Sequence, residues 1–482
     1  AVALDRPEGL DGSDAPTQIA LYGRTAESFD ALIAVLQGGE APGSLQVPVG
    51  DLRPVDNNGE KDLTTDLTAA DWSGFAALVL SPGAPLTHPR PHWTVDRARA
   101  ACVPVIGDLE LFARAIAALP RAQRPKIVAI TGTNGKSTTT RMTAAALATL
   151  GPVATNAEGA NMDAGLIAAL AGSRKATLAA LEVDEMHVPH VSDAVDPSVI
   201  VLLNLSRDQL DRVGEINHIE RTLRAGLARH PSAVVVANCD DVLVTSAAYD
   251  SPNVVWVAAG GGWSGDSVSC PRSGEVIVRE NGHWYSTGCD FSRPAPQWWY
   301  DETNIYGPEG FTAPMTLALP GTVNRGNATQ AVAAAVALGA SPAAAVAAVS
   351  TVDEVAGRYR TLQVGEHTVR MLLAKNPAGW QEALSMVSSD VAGAVISVNG
   401  QVPDGEDLSW LWDVNFEHFV DFPAPIVSAG ERGTDLAVRL GYAGVDHTLV
   451  HDTLAAIKSC PPGHVEVIAN YTAFLQLSRE LA

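Results

Sequence analysis

Two glycines, a lysine and a serine carry the most chemistry in this chain. They lie in the run Thr131-Gly132-Thr133-Asn134-Gly135-Lys136-Ser137-Thr138-Thr139. Glycine at 132 and 135 lets main-chain N–H groups come close to a phosphate, and the N-terminus of a following helix favours its negative charge. Thr133, Asn134 and Thr138 then line the loop, Lys136 reaches the β- and γ-phosphates, and Ser137 offers its hydroxyl to Mg²⁺. The spacing is not the strict phosphate-loop pattern. Ile130 stands where the first glycine normally falls, and Gly132 takes over its part.

Mg²⁺ on a nucleotide is held by carboxylate, water and phosphate oxygens. Glu182 in Leu181-Glu182-Val183-Asp184-Glu185 is the first candidate ligand and Glu185 the second. Glu182 ends an apolar run, so a strand would deliver it to the carboxyl edge of a sheet, where open α/β sheets bind ligands. Acids solvated in a loop have the same sequence appearance. The polar run Asn204-Leu205-Ser206-Arg207-Asp208-Gln209-Leu210-Asp211-Arg212 follows another apolar run. It suits either that ligand edge or a helix cap with charge pairs. In Gly321-Thr322-Val323-Asn324-Arg325-Gly326-Asn327-Ala328, Asn324 and Asn327 share one helix face at a spacing of three. Their amides could read an adenine edge; helix capping uses the same residues.

The positioning elements follow from pattern. Residues 127–130 read as a buried strand and 136–150 as a helix, so the loop sits at a strand-to-helix turn. Further strands are expected at 18–22, 76–80, 103–107, 177–182, 198–203, 233–237, 369–373 and 392–398, with helices at 28–36, 377–387 and 435–440. Alternation of this kind predicts α/β folding with parallel sheets. Gly23 is expected to turn the chain after the first strand, and 40–66, rich in Gly, Pro, Asp and Asn, reads as a loop. The Ala-rich stretch 331–350 is divided by Gly339-Ala340-Ser341-Pro342 into two helices, with Ser341 as N-cap and Pro342 at the first helical position. Residues 118–125 form a linker, and 260–313 interrupts the α/β rhythm. The domains expected are 17–125, 126–352 and 353–482, behind a disordered tail, 1–16.

A chain of 482 residues has length for about three domains. Its 54 acidic against 32 basic residues, a net charge of −22, argue against nucleic-acid binding, which needs a positive footprint. Five cysteines (Cys102, Cys239, Cys270, Cys289 and Cys460) are too sparse for a disulfide scaffold and suit a reducing, cytoplasmic compartment. The polar start lacks a signal-peptide pattern, and the Ala-rich stretch is too weakly apolar for a membrane span.

Taken in order, the loop at 131–139, Asn204 to Arg212, Asn238-Cys239-Asp240-Asp241, Gly321 to Ala328 and Gly357-Arg358 resemble the Mur ligase superfamily. The resemblance implies a three-domain α/β architecture with a central P-loop ATPase domain and a C-terminal Rossmann-like domain. It also implies ATP as co-substrate, with Asn324, Asn327 and Arg358 among the nucleotide contacts. Such enzymes phosphorylate a carboxylate and let an amine attack the acyl phosphate.

Within the superfamily, residues 126–482 resemble the MurT-type ligase subunit of lipid II isoglutaminyl synthases. The runs concerned are Thr155 to Met162, Leu181 to Glu185, Arg207 to Arg212 with Gln209 where most members carry His, Leu372 to Trp380, Asp404 to Asp413, and Gly430 to Gly444. That resemblance implies ammonia from a GatD-type glutamine amidotransferase partner, docked on the C-terminal domain. It assigns completion of the partner's Cys-His triad to Asp407, with Asp404 and Asp413 as alternates. A buried or oriented Asp holding a His in one tautomer is established triad chemistry.

Two departures stand out. MurT-type subunits carry a zinc ribbon, but here Cys270-Pro271-Arg272-Ser273 and Cys289-Asp290-Phe291-Ser292 each keep one cysteine. Hydroxyls are poor zinc ligands, so zinc is expected to be lost, with the ribbon's shape kept by Trp284, Tyr285 and Trp298. Residues 17–125, through Ala76 to Gly107 and on to Phe112, resemble instead the N-terminal domain of the MurD type, which grips a uridine diphosphate.

The reading that follows is ATP-dependent amidation of the D-glutamate α-carboxylate of lipid II, on the cytoplasmic side of the membrane. Two alternatives stand beside it. One is MurD-type addition of D-glutamate to a uridine-linked muramoyl-alanine, and the other a non-catalytic amidotransferase scaffold.

Overall fold

The computed structural model describes residues 72–481 except 76, 81–84, 88–89, 119–123, 157–158, 174, 208–215, 262, 354–358 and 406, together with 2–3 and 19–20. The tail beyond residues 2–3, the turn at Gly23, the helix at 28–36, the loop at 40–66, Gln209 and Arg358 lie outside the described residues. The chain divides into two compact units, Ala1–Ala129 with Leu150–Ser198, and Ile130–Thr149 with Val199–Ala482.

In the first unit, strands Leu78–Leu80 and Val105–Gly107 pair in parallel, joined through helix Trp93–Ala100. Trp72, Ala98 and Val103 form a small core there, with Phe75 and Trp93 packed against it. Helix Asp108–Ala118 packs on helices Asp163–Gly172 and Val188–Val195. Strands Val153–Thr155 and Leu178–Glu182 are parallel neighbours, and every residue of the second is buried. A strand buried on both faces reads as a continuous apolar run, which is why Leu-Ala-Ala-Leu was legible from sequence.

In the second unit, strands Val199–Leu202, Val234–Asn238 and Val254–Val257 run parallel. Helix Lys136–Leu147 packs on the Ala-rich helices Thr322–Ala337 and Pro342–Val349. Small side chains let these helices approach closely. Helix Thr322–Ala337 also closes on the chain just after strand Val254–Val257, where a Cβ added at Gly326 would clash with the Ala259 carbonyl oxygen. The Ala-rich stretch is indeed split at Gly339, where φ is 102°. Ser341 occupies the N-cap position of the second helix, but its side chain makes no capping hydrogen bond. The start there rests on Pro342.

The interruption at 260–313 holds a hairpin, Ile277–Glu280 with His283–Ser286, and a three-stranded antiparallel sheet, Trp299–Tyr300, Asn304–Tyr306 and Thr312–Pro314. The C-terminal part forms a six-stranded sheet. Tyr359–Val364 lies antiparallel at one edge beside His367–Leu373, followed in space by the parallel strands Gly463–Ala469, Gly393–Ser397, Ile426–Ala429 and Thr448–Leu449. Helices pack on this sheet through two buried clusters, one centred on Trp380, Trp410 and Phe416, the other on Val465, Val467 and Phe474. The α/β alternation expected from the sequence is therefore present. Among the described residues no helix is long and apolar enough to cross a membrane.

Candidate functional site

The site begins where strand Lys126–Thr131 ends and helix Lys136–Leu147 starts. Gly132 has φ 140° and Gly135 φ 84°, values that L side chains rarely adopt. Space enforces the same choice. A Cβ at 132 would lie 2.8 Å from Leu203 Cβ and 2.9 Å from the Asn204 carbonyl oxygen. At 135 it would lie 2.8 Å from Asn327 Oδ1.

The loop is clamped to the segment after strand Val199–Leu202. The Thr133 amide donates to the Asn204 carbonyl at 2.9 Å. The Asn204 side chain then acts as an extra backbone unit. Its Oδ1 accepts from the Asn134 amide at 2.9 Å, and its Nδ2 donates to the Asn134 carbonyl at 3.0 Å. Two residues beyond Asn204, Ser206 donates its amide to the Thr133 hydroxyl and accepts from that hydroxyl at its carbonyl, both at 3.0 Å. Lys136 curls back so that Nζ donates to the Gly132 carbonyl at 2.7 Å. A buried ammonium held over the loop in this way is placed to meet phosphate oxygens. Thr138 is buried and Ser137 half-buried at the start of the helix.

Asn324 and Asn327 belong to the same neighbourhood. Both are buried, and Asn327 Nδ2 donates to Asn324 Oδ1 at 3.2 Å, while Asn324 Nδ2 donates to the Pro320 carbonyl. Asn327 lies against the loop, its amide filling the space that a Cβ at Gly135 would need. The second unit thus brings 132–138, Asn204, Asn324 and Asn327 together. Arg358 lies outside the described residues.

Asp241 supports this arrangement from behind. Oδ1 caps helix Val242–Ala248 by accepting from Val244 N, and Oδ2 accepts from Leu205 N, both at 2.9 Å. The residue keeps an exposed edge, but its carboxyl lies deep, and burial pushes it up to about 6 against the two amide hydrogen bonds.

Glu182 and Glu185 lie in the first unit. Glu182 ends its strand fully buried, and its backbone is fixed by Asn156, whose Oδ1 accepts from the Glu182 amide and whose Nδ2 donates to the Glu182 carbonyl, both at 2.8 Å. Asn161 Nδ2 donates to Oε1 at 3.3 Å, whereas Oε2 is buried with no hydrogen-bond partner. A buried, unsatisfied carboxylate oxygen is costly in a protein interior. That oxygen fits a hard cation such as Mg²⁺, which takes carboxylate oxygens. Glu185 is half-buried in the turn after the strand.

Residues 130–335 match the Mur ligase middle domain, and residues 373–474 match the MurT ligase C-terminal family. A UDP-N-acetylmuramoylalanine–D-glutamate ligase of Caulobacter vibrioides is 32% identical over 402 residues, spanning 81% of this chain and 78% of that protein. The chain belongs to the Mur ligase family. It is 29% identical over 398 residues to the MurT subunit of a glutamine-hydrolysing lipid II isoglutaminyl synthase of Streptococcus pneumoniae, covering 75% of this chain and 88% of that one. Among solved structures, a pseudomurein peptide ligase type C from Methanothermus fervidus superposes with a TM-score of 0.64 at 17% identity, covering 95% of this chain and 97% of that one. MurF from Acinetobacter baumannii gives 0.59 at 18% identity, covering 79% and 81%. These two likenesses carry the fold. As a Mur ligase, the chain is an ATP-dependent ligase of peptidoglycan synthesis.

In the Mur ligase's C-terminal part, the three aspartates of 404–413 have different surroundings. Asp404 is buried, with one oxygen accepting from the Thr472 amide at 2.9 Å and the other from the Thr472 hydroxyl. It is committed internally. Asp413 lies 3.6 Å from Arg207, whose Nε also donates to Asp266 at 2.5 Å. Asp407 is exposed, and its Oδ1 accepts from the Ser409 amide at 2.8 Å, a local bond two residues along the chain, ahead of the turn Ser409–Trp412. Trp412, which precedes Asp413 in the chain, meets Tyr442 edge to face at 5.4 Å, and the two remain 57% and 77% exposed. Arg439 stabilises this region. It is buried and donates to the carbonyls of Leu411 and Val414 and to Glu417.

The two half-motifs of the insertion have different surroundings. Ser273 pairs with Ser286, their hydroxyls 2.9 Å apart, and Ser292 instead bridges to Tyr285. Burial raises the Cys270 thiol, but hydrogen bonds from the Ser273 and Ser286 side chains outweigh it, and the net shift is downward. Cys270 is buried and Cys289 exposed, both as free thiols. Among the described residues no three His, Cys, Asp or Glu side chains form a metal cluster. Trp284 packs in the hairpin core with Phe291, Cys270 and Ile277. Trp298 does not join them; it faces Phe311 and Gly307 on the three-stranded sheet.

Sequence reasoning missed the amides. Asn156 and Asn161 hold Glu182, and Asn376 reaches the phosphate loop, with its Nδ2 and Oδ1 exchanging hydrogen bonds with the Asn134 side chain at 3.3 and 3.2 Å. Asn376-Pro377 carried a local signal, since Asn before Pro is a helix start, and Asn376 does accept from Gly379 N. Nothing local indicated its second contact, 242 residues away.

Proposed function

We propose that this Mur ligase is the ligase subunit of a lipid II isoglutaminyl synthase. The carrying observation is the MurT ligase C-terminal match over 373–474, within which Asp407, Trp412 and Tyr442 are all exposed. In this reading the D-glutamate α-carboxylate of the stem peptide is activated as an acyl phosphate, and ammonia displaces phosphate to leave D-isoglutamine. Lys136 and the loop amides meet the β- and γ-phosphates, where negative charge develops in the transition state. Ser137 is the hydroxyl donor of the loop, and Glu182 is the carboxylate whose free oxygen suits Mg²⁺; the ion supplies charge neutralisation of the phosphates. Asn324, Asn327 and Arg358 are assigned to the nucleotide.

The proposed domains are 17–125, 126–352 and 353–482. The last docks a GatD-type glutaminase through the Trp412–Tyr442 face, and Asp407 completes the partner's triad by orienting its His. With its second oxygen open to the surface, Asp407 suits that task better than Asp404, whose oxygens both serve Thr472.

The test measures phosphate release with lipid II and Mg·ATP. Ammonium should support turnover by the chain alone, and glutamine only with a glutaminase partner. Asp407→Asn should lose glutamine-dependent turnover and keep ammonium-dependent turnover. No lipid II-dependent release with ammonium refutes the assignment. The 32% identity to the Caulobacter D-glutamate ligase over most of the chain favours a second reading, D-glutamate addition to UDP-N-acetylmuramoylalanine. Release that depends on that nucleotide and D-glutamate would establish it.

A further inference from the structure

The loop clamp and the C-terminal part meet at one amide pair. Asn134 Nδ2 donates to Asn376 Oδ1 at 3.2 Å, and Asn376 Nδ2 donates to Asn134 Oδ1 at 3.3 Å. Both residues are buried, at 6% and 1% exposure. The two ends of the pair are rigid for separate reasons. The Asn134 backbone is fixed to the Asn204 side chain through its N–H and its C=O. Asn376 is fixed as the N-cap of helix Pro377–Ser385, its Oδ1 also accepting from Gly379 N at 2.8 Å. Gly379 leaves room for both amides. A Cβ there would lie 3.2 Å from Asn376 Oδ1 and 3.5 Å from Asn134 Oδ1. Lys375, the neighbouring cation, sits 5.0 Å from the centre of the Tyr471 ring.

Buried amides need partners, and here each satisfies the other. Moving 374–380 away from the loop would strip a hydrogen bond from both at once. Conversely, a loop that leaves its phosphate-ready form carries Asn134 away from Asn376. The loop conformation and the seating of 374–385 are therefore one linked equilibrium. Whatever favours one favours the other by the same factor.

We propose that Asn376 is a positioning residue that couples nucleotide binding at the phosphate loop to the seating of residues 374–385, Lys375 included, acting through Asn134 rather than on the nucleotide. This rests on the assignment of the loop as the ATP site. Asn376→Ser separates the two roles of the side chain, because a serine still caps Gly379 N but is too short to reach Asn134. Asn134→Ala breaks the pair from the loop side and leaves the helix cap intact.

Full-length wild type, both single variants, their double and Lys136→Ala would be compared for Mg·ATP affinity, thermal midpoint and amide hydrogen exchange. Each single variant should raise the Kd for Mg·ATP about five- to tenfold at a near-native midpoint, and the double should be no weaker than the weaker single. Mg·ATP should slow exchange across 374–385 in wild type and not in Asn376→Ser. Wild-type affinity in either single variant, or additive losses in the double, overturns the coupling alone, provided Lys136→Ala binds weakly. Wild-type affinity in Lys136→Ala overturns the ATP-site assignment and the coupling with it.

Discussion

Replacing Asn204 by alanine removes a side chain that ties the phosphate loop to the neighbouring strand end by two hydrogen bonds to the Asn134 backbone. The bonds are 2.9 Å from the Asn134 amide and 3.0 Å to the Asn134 carbonyl. A neutral hydrogen bond contributes about 0.5–1.5 kcal/mol net, and a buried group left unpaired costs about 1–3 kcal/mol. The site is part-buried, so about 1–3 kcal/mol for the pair is the appropriate range. If that free energy is spent holding the loop ready for phosphate, affinity for Mg·ATP should fall by roughly five- to 150-fold. If it is spent on global folding, urea unfolding should register it instead.

Isothermal titration with a non-hydrolysable ATP analogue, beside urea denaturation of the same preparations, separates the two. Asn204→Asp sharpens the comparison. It keeps the acceptor for the Asn134 amide, but it sets a carboxylate against the Asn134 carbonyl and adds negative charge beside a phosphate site. It should therefore bind more weakly than Asn204→Ala. Affinity within twofold of wild type for Asn204→Ala, with unfolding free energy unchanged, refutes the clamp.

Other outcomes follow from single positions. Burial raises the Asp241 carboxyl to about 6, above its unfolded value, so the protonated form stabilises the fold and that contribution is lost as pH rises from about 4 through 6. At about 1.4 kcal/mol per pH unit the effect is roughly 3 kcal/mol at most, and the stability of wild type relative to Asp241→Asn should fall by up to that amount over this window in urea titrations. Gly430 has φ 91°, and a Cβ there would lie 2.4 Å from the Val398 carbonyl oxygen, so Gly430→Ala should destabilise by about 2–4 kcal/mol in urea unfolding. Arg439→Met leaves the Leu411 and Val414 carbonyls unpaired beneath the Trp412 face. It should cost about 2–4 kcal/mol in the same measurement and reduce glutamine-dependent turnover more than ammonium-dependent turnover.

What could be read from the sequence was local. Gly132, Gly135, Lys136 and Ser137 announce a phosphate loop because glycine and lysine at those spacings have few other uses, and the strand and helix around them are set by short-range pattern. Strands such as Leu178–Glu182 were legible because burial on both faces leaves an unbroken apolar run. Local pattern also placed Ser341 at its cap position, although the side chain makes no cap bond there. Local spacing also could not show that the hairpin sets Ser286 beside Ser273.

Tertiary structure decided which polar side chains serve the site. Asn204, Asn376 and Asn156 are ordinary residues in sequence, since an amide has no chemical signature beyond donor and acceptor. Each acquires its role from a partner 26 to 242 residues away. Tertiary structure also separated the three aspartates of 404–413, identical in type but buried on Thr472, paired near Arg207 or open to solvent. The sequence alone determined that a nucleotide-binding Mur-type ligase was encoded, because phosphate chemistry needs particular residues at short spacing. Which amides hold its loop, and which Asp stays open to the surface, depended on the packing of distant segments, which no local pattern records.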